Sequence, residues 1–164
     1  MGWVRWFDAP PLGGYYRADY TQRILHMKVM VVDDSAVELT RLRQIVERAG
    51  HQVITASDGL EAVERAAIEQ PDLIFMDIVM PRMDGFRATR TLVADSKTAH
   101  LPIILVSTKS QPVDIAWARK QGAAHLIGKP YAPAEILEQL AKFQARAAAA
   151  PRVASSTPPA ASAP

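Results

Sequence analysis

The chain contains 164 residues with a mass of 18.0 kDa, of which 49% are hydrophobic and 22% charged, a composition that fits one soluble globular domain and excludes a large multi-domain enzyme. It has no cysteine, which excludes disulfide bonds, zinc sites built on thiolates and a cysteine nucleophile. The formal net charge is +2, but residues 28–144 carry 14 Lys and Arg against 15 Asp and Glu, a net charge of 14 − 15 = −1, which argues against DNA binding.

Residues 1–26 predict a poorly ordered leader. They hold six of the eleven aromatic residues of the chain, but prolines and glycines interrupt every helix or strand pattern. An export signal is not expected, because Arg5 and Asp8 break the apolar stretch that a signal peptide needs. A start of translation at Met27 instead of Met1 is one interpretation of this segment, because Met27 stands directly before the first predicted strand. A second interpretation is that the aromatic residues form a docking segment for a partner.

The middle of the chain alternates short apolar runs with amphipathic stretches. The apolar runs predict strands that are buried on both faces of a sheet: residues 28–32, 52–56, 73–76, 103–106 and 125–127. A helix is predicted after each run. In the first, apolar residues recur three and four positions apart from Val37 to Ala49, and Gly50 ends it; the second follows Ser57-Asp58-Gly59 and ends before Pro71. The other three are predicted at about 85–95, at about 112–121 and from about 133 onward.

Five strand–helix units in one short chain predict an α/β fold with right-handed crossovers. The size fits a flavodoxin-like, doubly wound, five-stranded parallel sheet with strand order 2-1-3-4-5 and five helices. The folded domain is expected at residues 27–144. Residues 145–164 are mostly Ala, Pro and Ser and predict a disordered tail, although residues 145–150 are expected to extend the fifth helix until Pro151 ends it.

Polar residues follow four of the five predicted strands. Asp33 and Asp34 follow the first strand, Asp77 the third, Ser107 the fourth and Lys129 the fifth. Because the carboxyl ends of parallel strands meet at one edge of the sheet, we expect these side chains to lie close together. Three carboxylates would repel each other unless a cation lay among them, and oxygen donors without Cys or His favour Mg²⁺. With an ammonium and a hydroxyl available for phosphoryl oxygens, the pattern predicts magnesium-dependent phosphate chemistry.

Each of these residues also has a purely structural interpretation. An aspartate at a strand end is often the N-cap of the next helix, which would account for Asp33. A serine after a strand is a common cap, and a Lys–Pro pair is common in loops. The functional interpretation therefore depends on the joint placement of the set at four of five strand ends.

Four motifs resemble the receiver domain of bacterial two-component response regulators. They are VVDDS at residues 31–35, MDIVMPRMDG at 76–85, LVST at 105–108 and GKP at 128–130. The resemblance covers residues 28–143. It implies a signalling protein and not an enzyme, because such a protein catalyses only its own phosphorylation and slow dephosphorylation. The stretches MDIVMPRMDGFRATRTL and TKSQPVDIAWARKQGA are similar to stand-alone, chemotaxis-type receivers of type IV pilus twitching-motility systems.

The resemblance assigns a role to each residue of the set. Asp77 is the phosphoacceptor, Ser107 the hydroxyl switch residue, and Lys129 the contact to the phosphoryl group. The ligands of Mg²⁺ are Asp33, Asp34, Asp77 and the backbone carbonyl of Val79. The resemblance also implies a cis peptide bond before Pro130.

The implied phosphodonor is a sensor histidine kinase with a chemotaxis-type phosphotransfer domain. The implied output partner is a protein that binds the face around the fourth helix and fifth strand after phosphorylation, in the cytoplasm. Membrane insertion is not expected, because the longest uncharged apolar stretch, residues 98–108, is shorter than the ~18 residues of a membrane span.

Three other functions compete with this interpretation. The chain could be a phosphate sink that drains the kinase without an output partner. A magnesium-dependent phosphoryl hydrolase is disfavoured, because Val79 occupies the position of the second carboxylate that such an enzyme needs. A nucleotide-binding domain is disfavoured because the chain has no G-x-G-x-x-G or G-x-x-x-x-G-K-[ST] motif.

The sequence departs from the family pattern at the aromatic switch position, three residues before Lys129, which is occupied by Leu126. Rotation of an aromatic ring cannot relay the signal there, unless Tyr131 or His125 substitutes.

A second departure concerns hydrolysis. Val79 and Lys109 lie two residues after the phosphoacceptor and the switch hydroxyl, at positions that flank the hydrolytic water in the family. We expect these side chains to slow dephosphorylation.

Overall fold

The structure, a computed structural model, describes residues 26–149. The predicted leader, apart from His26, and the predicted tail beyond Ala149 lie outside the described residues. Among the described residues, no helix combines the length and the apolar character needed to cross a lipid bilayer.

Five parallel strands form one sheet, and each is built from the apolar run predicted for it. The strands are β1 (Lys28–Val32), β2 (Gln52–Ala56), β3 (Leu73–Asp77), β4 (Ile103–Ser107) and β5 (His125–Gly128). Their order across the sheet is β2-β1-β3-β4-β5, and every neighbouring pair is parallel. The predicted fold class and strand order are confirmed.

Five helices connect and follow the strands: α1 (Ala36–Arg48), α2 (Gly59–Glu69), α3 (Gly85–Ala94), α4 (Pro112–Lys120) and α5 (Pro133–Ala149). Side-chain caps fix where the first three begin, since the side chains of Ser35, Asp58 and Asp84 accept hydrogen bonds from backbone N–H groups of the first turn. Helix α5 continues to Ala149, so the first alanines after residue 144 are helical.

The helices cover both faces of the sheet, which divides the core into two clusters. Alternate strand residues face opposite sides, so Ile74 and Met76 pack against α2, α3 and α4, whereas Leu73 and Phe75 pack against α1 and α5. All four of these side chains are fully buried. Both faces of the sheet are therefore packed against helices, so the backbone at its carboxyl edge has a well-defined position.

Three strands are one residue longer than their predicted apolar runs: β3, β4 and β5, the last of which ends at Gly128. Asp77 ends β3 and pairs with Val106, and Ser107 ends β4 and pairs with Gly128. The backbone of both polar residues therefore belongs to the sheet, although the prediction was that they follow it. The sheet fixes the position of Asp77 and Ser107 more firmly than a loop would.

Candidate functional site

Three aspartates meet at the carboxyl edge of the sheet, where β1 and β3 lie side by side. One carboxylate oxygen from each of Asp33, Asp34 and Asp77 lies within 4.8 Å of the other two. Asp33 and Asp77 are buried, with 5% and 8% of their surface exposed, whereas Asp34 is exposed. The predicted convergence of the three carboxylates is present in the structure.

The turn after β1 positions Asp33. Its backbone N–H donates to the carbonyl of Ala56 on β2 at 3.2 Å, and its Oδ1 accepts from the N–H of Ser35 at 2.9 Å. Ser35, not Asp33, is the N-cap of α1, because its side chain accepts from the N–H of Glu38. The structural interpretation of Asp33 as a helix cap therefore does not hold.

The close approach of α3 positions Asp77. The N–H of Gly85, the first residue of α3, donates to the carbonyl of Ile78 at 2.9 Å. A Cβ atom at Gly85 would overlap the backbone carbonyl oxygen of Asp77, so no larger residue fits here without a shift of the backbone. The β3–α3 loop, residues 78–84, begins and ends at this contact. It contains Val79, whose surface is 67% exposed.

Lys129 joins two of the three carboxylates. Its Nζ donates to Oδ2 of Asp33 at 2.7 Å and to Oδ1 of Asp77 at 3.0 Å. Its backbone N–H donates to the carbonyl of Ser107 at 2.7 Å, and a cis peptide bond links it to Pro130, as the family resemblance implies. The bridge to Asp33 was not predicted, because the ammonium was expected to contact only a phosphoryl oxygen.

The charges of this cluster do not balance. Three carboxylates and one ammonium leave a net charge of −3 + 1 = −2, which matches one divalent cation. Burial raises the pKa of Asp77, and its hydrogen bond with Lys129 offsets this effect only in part. Burial alone would lower the pKa of Lys129, but its bonds to Asp33 and Asp77 outweigh burial and raise it. An ionised, partly desolvated carboxylate beside a fixed ammonium is suited to nucleophilic attack on phosphorus.

Ser107 lies at the end of β4, one residue beyond the strand partner of Asp77. It is buried, and its Oγ accepts a hydrogen bond from the backbone N–H of Lys109 at 3.0 Å. Because a hydroxyl can accept and donate at once, Ser107 keeps its proton available for an oxygen at the site.

The aromatic substitutes considered for Leu126 lie on the other side of the sheet. Leu126 packs in the core cluster that faces α2, α3 and α4, whereas Tyr131 is buried in the cluster that faces α1 and α5. The ring of Tyr131 lies 4.9 Å from the guanidinium of Arg41. His125 precedes Leu126 on the same strand and therefore points to the opposite face. Neither residue can take the place of an aromatic ring at position 126.

Comparisons with known proteins agree with this geometry. Residues 29–141 match the family model of the response regulator receiver domain. The chain is 41% identical over 113 residues to Protein PilH of Pseudomonas aeruginosa, covering 69% of this chain and 93% of that protein.

Two solved structures have the same fold. The chemotaxis response regulator CheY4 of Vibrio cholerae has a TM-score of 0.68 and 30% identity, over 72% of this chain and 98% of that one. The receiver domain of the sensor histidine kinase PA1611 from Pseudomonas aeruginosa, which has a magnesium ion in its active-site cleft, has a TM-score of 0.68 and 27% identity, over 73% and 98% of the two chains.

Proposed function

The chain belongs to the response regulator receiver family, and we propose that Asp77 is its phosphoacceptor, which takes a phosphoryl group from the phosphohistidine of a sensor histidine kinase. One observation carries this assignment. Asp77 is the residue of the acidic cluster that ends the central strand β3, and both Lys129 and the two other carboxylates lie within reach of its side chain.

The reaction requires an ionised carboxylate. One oxygen of Asp77 attacks phosphorus and forms a P–O bond, while the P–N bond to the imidazole of the kinase breaks and its electrons stay on nitrogen. Lys129 shares its protons between Asp33 and Asp77 in the resting protein, and its ammonium is placed to accompany a phosphoryl oxygen after transfer. The Ser107 hydroxyl is the second donor for that group.

The residues present fit a magnesium ion. Asp33, Asp34 and Asp77, together with the backbone carbonyl of Val79, would hold it, since the donor set consists of oxygens and the cluster has a net charge of −2. Bound Mg²⁺ supplies positive charge that neutralises the phosphoryl oxygens during transfer.

The experiment that tests the assignment is phosphorylation by acetyl phosphate with Mg²⁺, followed by mass spectrometry of the modified peptide. We expect the added phosphoryl group on Asp77 and none in Asp77→Asn. The matched control is Asp95→Asn, which changes an exposed aspartate at the end of α3 in the same way and should be phosphorylated like the wild type. Labelling of Asp77→Asn at the wild-type rate would refute the proposal.

The output surface we propose is the exposed face of α4 next to β5. Ile115 and Ala118 of α4 contact the core, whereas Val113 and Trp117, one turn apart, have 71% and 47% of their surface exposed. The Lys120 ammonium lies 5.5 Å from the centre of the Trp117 ring. Two neighbouring apolar side chains on the outer face of a helix are typical of a surface that a protein partner covers.

The similarity to Protein PilH supports a role for this protein, acting in the cytoplasm, in the chemotaxis-like control of type IV pili. Binding of the phosphorylated protein to purified pilus motor proteins, measured by biolayer interferometry, tests this role. We expect binding that requires phosphorylation and is lost in Trp117→Ala, while Trp117→Ala is still phosphorylated normally. If neither the phosphorylated nor the unphosphorylated protein binds any motor protein, the result would favour the phosphate sink.

A further inference from the structure

The β3–α3 loop, which carries Val79, contains an arginine in an unusual backbone conformation. Arg82 has a φ of +60°, which lies in the left-handed region of backbone conformations. This region favours glycine and costs energy for a residue that has a Cβ atom. A glycine would adopt this conformation without strain. An arginine at a position where the backbone favours glycine indicates that the arginine side chain has a function of its own.

The Arg82 side chain binds a buried carboxylate on a different element. Its Nε donates to Oδ2 of Asp58 at 2.7 Å, and its NH2 group donates to the same oxygen. The side chain of Asp58 is 3% exposed, whereas that of Arg82 is 57% exposed, so the arginine covers the carboxylate from the solvent side. A buried carboxylate needs such a partner, because an uncompensated buried charge is strongly unfavourable.

The second oxygen of Asp58 is fixed by helix α2. Oδ1 accepts from the N–H groups of Leu60 and Glu61 at 2.9 and 3.1 Å, which makes Asp58 the N-cap of this helix. The pKa of Asp58 is lowered, since these hydrogen bonds and Arg82 outweigh the opposing effect of burial. Asp58 is therefore a rigid point to which the loop is attached.

The backbone of the loop lies directly against the same point. The N–H of Gly59 donates to the carbonyl of Met83 at 3.1 Å. A Cβ atom at Gly59 would lie only 2.5 Å from that carbonyl oxygen, so α2 and the loop approach as closely as two backbones can. Arg82 and Met83 thus attach the loop to the start of α2 by one side-chain and one backbone contact.

We propose that the Arg82–Asp58 pair is a positioning device for the metal site, which holds the β3–α3 loop so that the Val79 carbonyl faces the three aspartates. This inference depends on the proposed function in one respect, the assignment of that carbonyl as a ligand. Neither residue belongs to the proposed ligand set. Each acts through the backbone that carries Val79, as groups outside the ligand set commonly orient ligands.

The test compares Mg²⁺ affinity, measured by isothermal titration calorimetry, across substitutions at the pair. Arg82→Gly removes the guanidinium and the strain together, and Arg82→Asn removes the guanidinium but tolerates the left-handed backbone. Asp58→Asn keeps a helix-capping oxygen but loses the charge. We expect each to weaken Mg²⁺ binding about tenfold, the lower end of what such positioning groups contribute. Arg82→Lys should retain the affinity of the wild type within about twofold.

A second measurement separates positioning from general stability. Hydrogen exchange at the Gly59 amide, without metal, should accelerate in Arg82→Gly and Arg82→Asn, because this amide bonds to the loop. The double variant Arg82→Asn/Asp58→Asn should bind Mg²⁺ no more weakly than either single variant, as expected for two residues that act as one unit. Arg43→Asn, which breaks an exposed ion pair with Glu47 on α1, is the matched control and should change neither quantity.

Two results would overturn the inference. One is Mg²⁺ affinity within twofold of the wild type in both Arg82→Gly and Arg82→Asn. The other is weakened Mg²⁺ binding with unchanged exchange at Gly59, which would show that the effect does not pass through the loop. Asp34→Asn distinguishes these failures from failure of the proposed function, because it removes a proposed ligand directly. If Asp34→Asn binds Mg²⁺ like the wild type, the ligand assignment itself is wrong.

Discussion

Lys129 and Asp33 lie 96 positions apart in the sequence, yet the Lys129 ammonium is 2.7 Å from the Asp33 carboxylate. Parallel β1 and β5 are not neighbours in the sheet, and β3 and β4 separate them. The lysine side chain therefore reaches across the carboxyl edge, past Asp77, to the first strand. It holds together a site whose parts come from both ends of the domain.

Replacing this lysine should impair phosphorylation more than folding. In Lys129→Met, the carboxylates of Asp33 and Asp77 lose their shared cation, and the transferred phosphoryl group loses one fixed donor. We expect the rate of phosphorylation by acetyl phosphate at saturating Mg²⁺ to fall about 100-fold. This is the usual effect of removing one hydrogen-bond donor that stabilises the charge of a transition state. Lys97→Met, at an exposed lysine after α3, should keep the wild-type rate. A decrease of less than threefold in Lys129→Met would contradict the assigned role.

Asp77→Asn should abolish phosphorylation and stabilise the metal-free protein at neutral pH. The pKa of Asp77 is raised in the folded protein, chiefly by burial, so its charge opposes folding at every pH above that value. The unfavourable contribution shrinks as the pH falls through the folded pKa and is gone below the ordinary value of 3.8, where the carboxyl group is neutral in both states. The melting temperature in EDTA should therefore exceed that of the wild type at pH 7, with the difference vanishing near pH 3. A lower melting temperature at pH 7 would show that the charge of Asp77 stabilises the fold.

The lifetime of phosphorylated Asp77 should be shortened by Val79→Asn. The valine offers only methyl groups to a water molecule behind the phosphorus, whereas a carboxamide can orient that water for attack. One water-orienting hydrogen bond is worth about 1 kcal/mol, or about fivefold in rate. Decay of the phosphorylated protein after donor removal, in Mg²⁺ at neutral pH, measures the difference. The side chain at position 79 is exposed, so the substitution should leave stability unchanged. If the phosphorylated wild type decays as fast as the phosphorylated Val79→Asn variant, or faster, Val79 does not limit the rate of hydrolysis.

Stability should decline below about pH 6.5 because of His51. This buried histidine accepts a hydrogen bond at Nδ1 from the Met27 N–H at 3.3 Å, which requires a neutral ring. Burial, followed by the charge of His26, lowers the pKa of His51 below 6.5, so the unfolded chain gains a proton first as the pH falls. The free energy of unfolding therefore decreases below pH 6.5, by at most about 1.4 kcal/mol per pH unit for one histidine.

Urea denaturation between pH 7.5 and 5.5 measures this dependence. His51→Asn keeps a hydrogen-bond acceptor but cannot titrate, so the decline should become shallower. Part of it should persist, because burial also lowers the pKa of His125. The same substitution at exposed His100 should leave the decline as it is in the wild type. An unchanged slope in His51→Asn would show that this histidine does not titrate differently on folding.

The strands and helices were predictable because their patterns are local. Runs such as the KVMVV of β1 are apolar at every position after the first, which suits a strand buried on both faces. Gly59 and Gly85 marked the starts of α2 and α3. With the parallel arrangement assumed, the edge at which Asp33, Asp34 and Asp77 meet followed directly, and it is confirmed.

The bonds within the site could not be predicted in the same way. Nothing near Lys129 in the sequence indicates that its ammonium binds Asp33, because that bond depends on the twist and width of the assembled sheet. The Arg82–Asp58 pair also joins a loop to a helix start across 24 positions, and a left-handed arginine has no sequence signature. The local signal at Asp58 is its residue type directly before a helix, which is typical of a helix cap and says nothing of a partner 24 positions away.

The hydrogen bond from the Lys109 N–H to the Ser107 hydroxyl has a thermodynamic consequence. If Oγ moves towards a phosphoryl group on Asp77, it either loses this bond or draws the backbone before α4 along with it. Phosphorylation and the position of α4 are then coupled by a single free energy, which must act equally in both directions. A partner that binds α4 in its displaced position would raise the affinity of the site for the phosphoryl group by the same factor. The partner would thereby favour the signal that it detects.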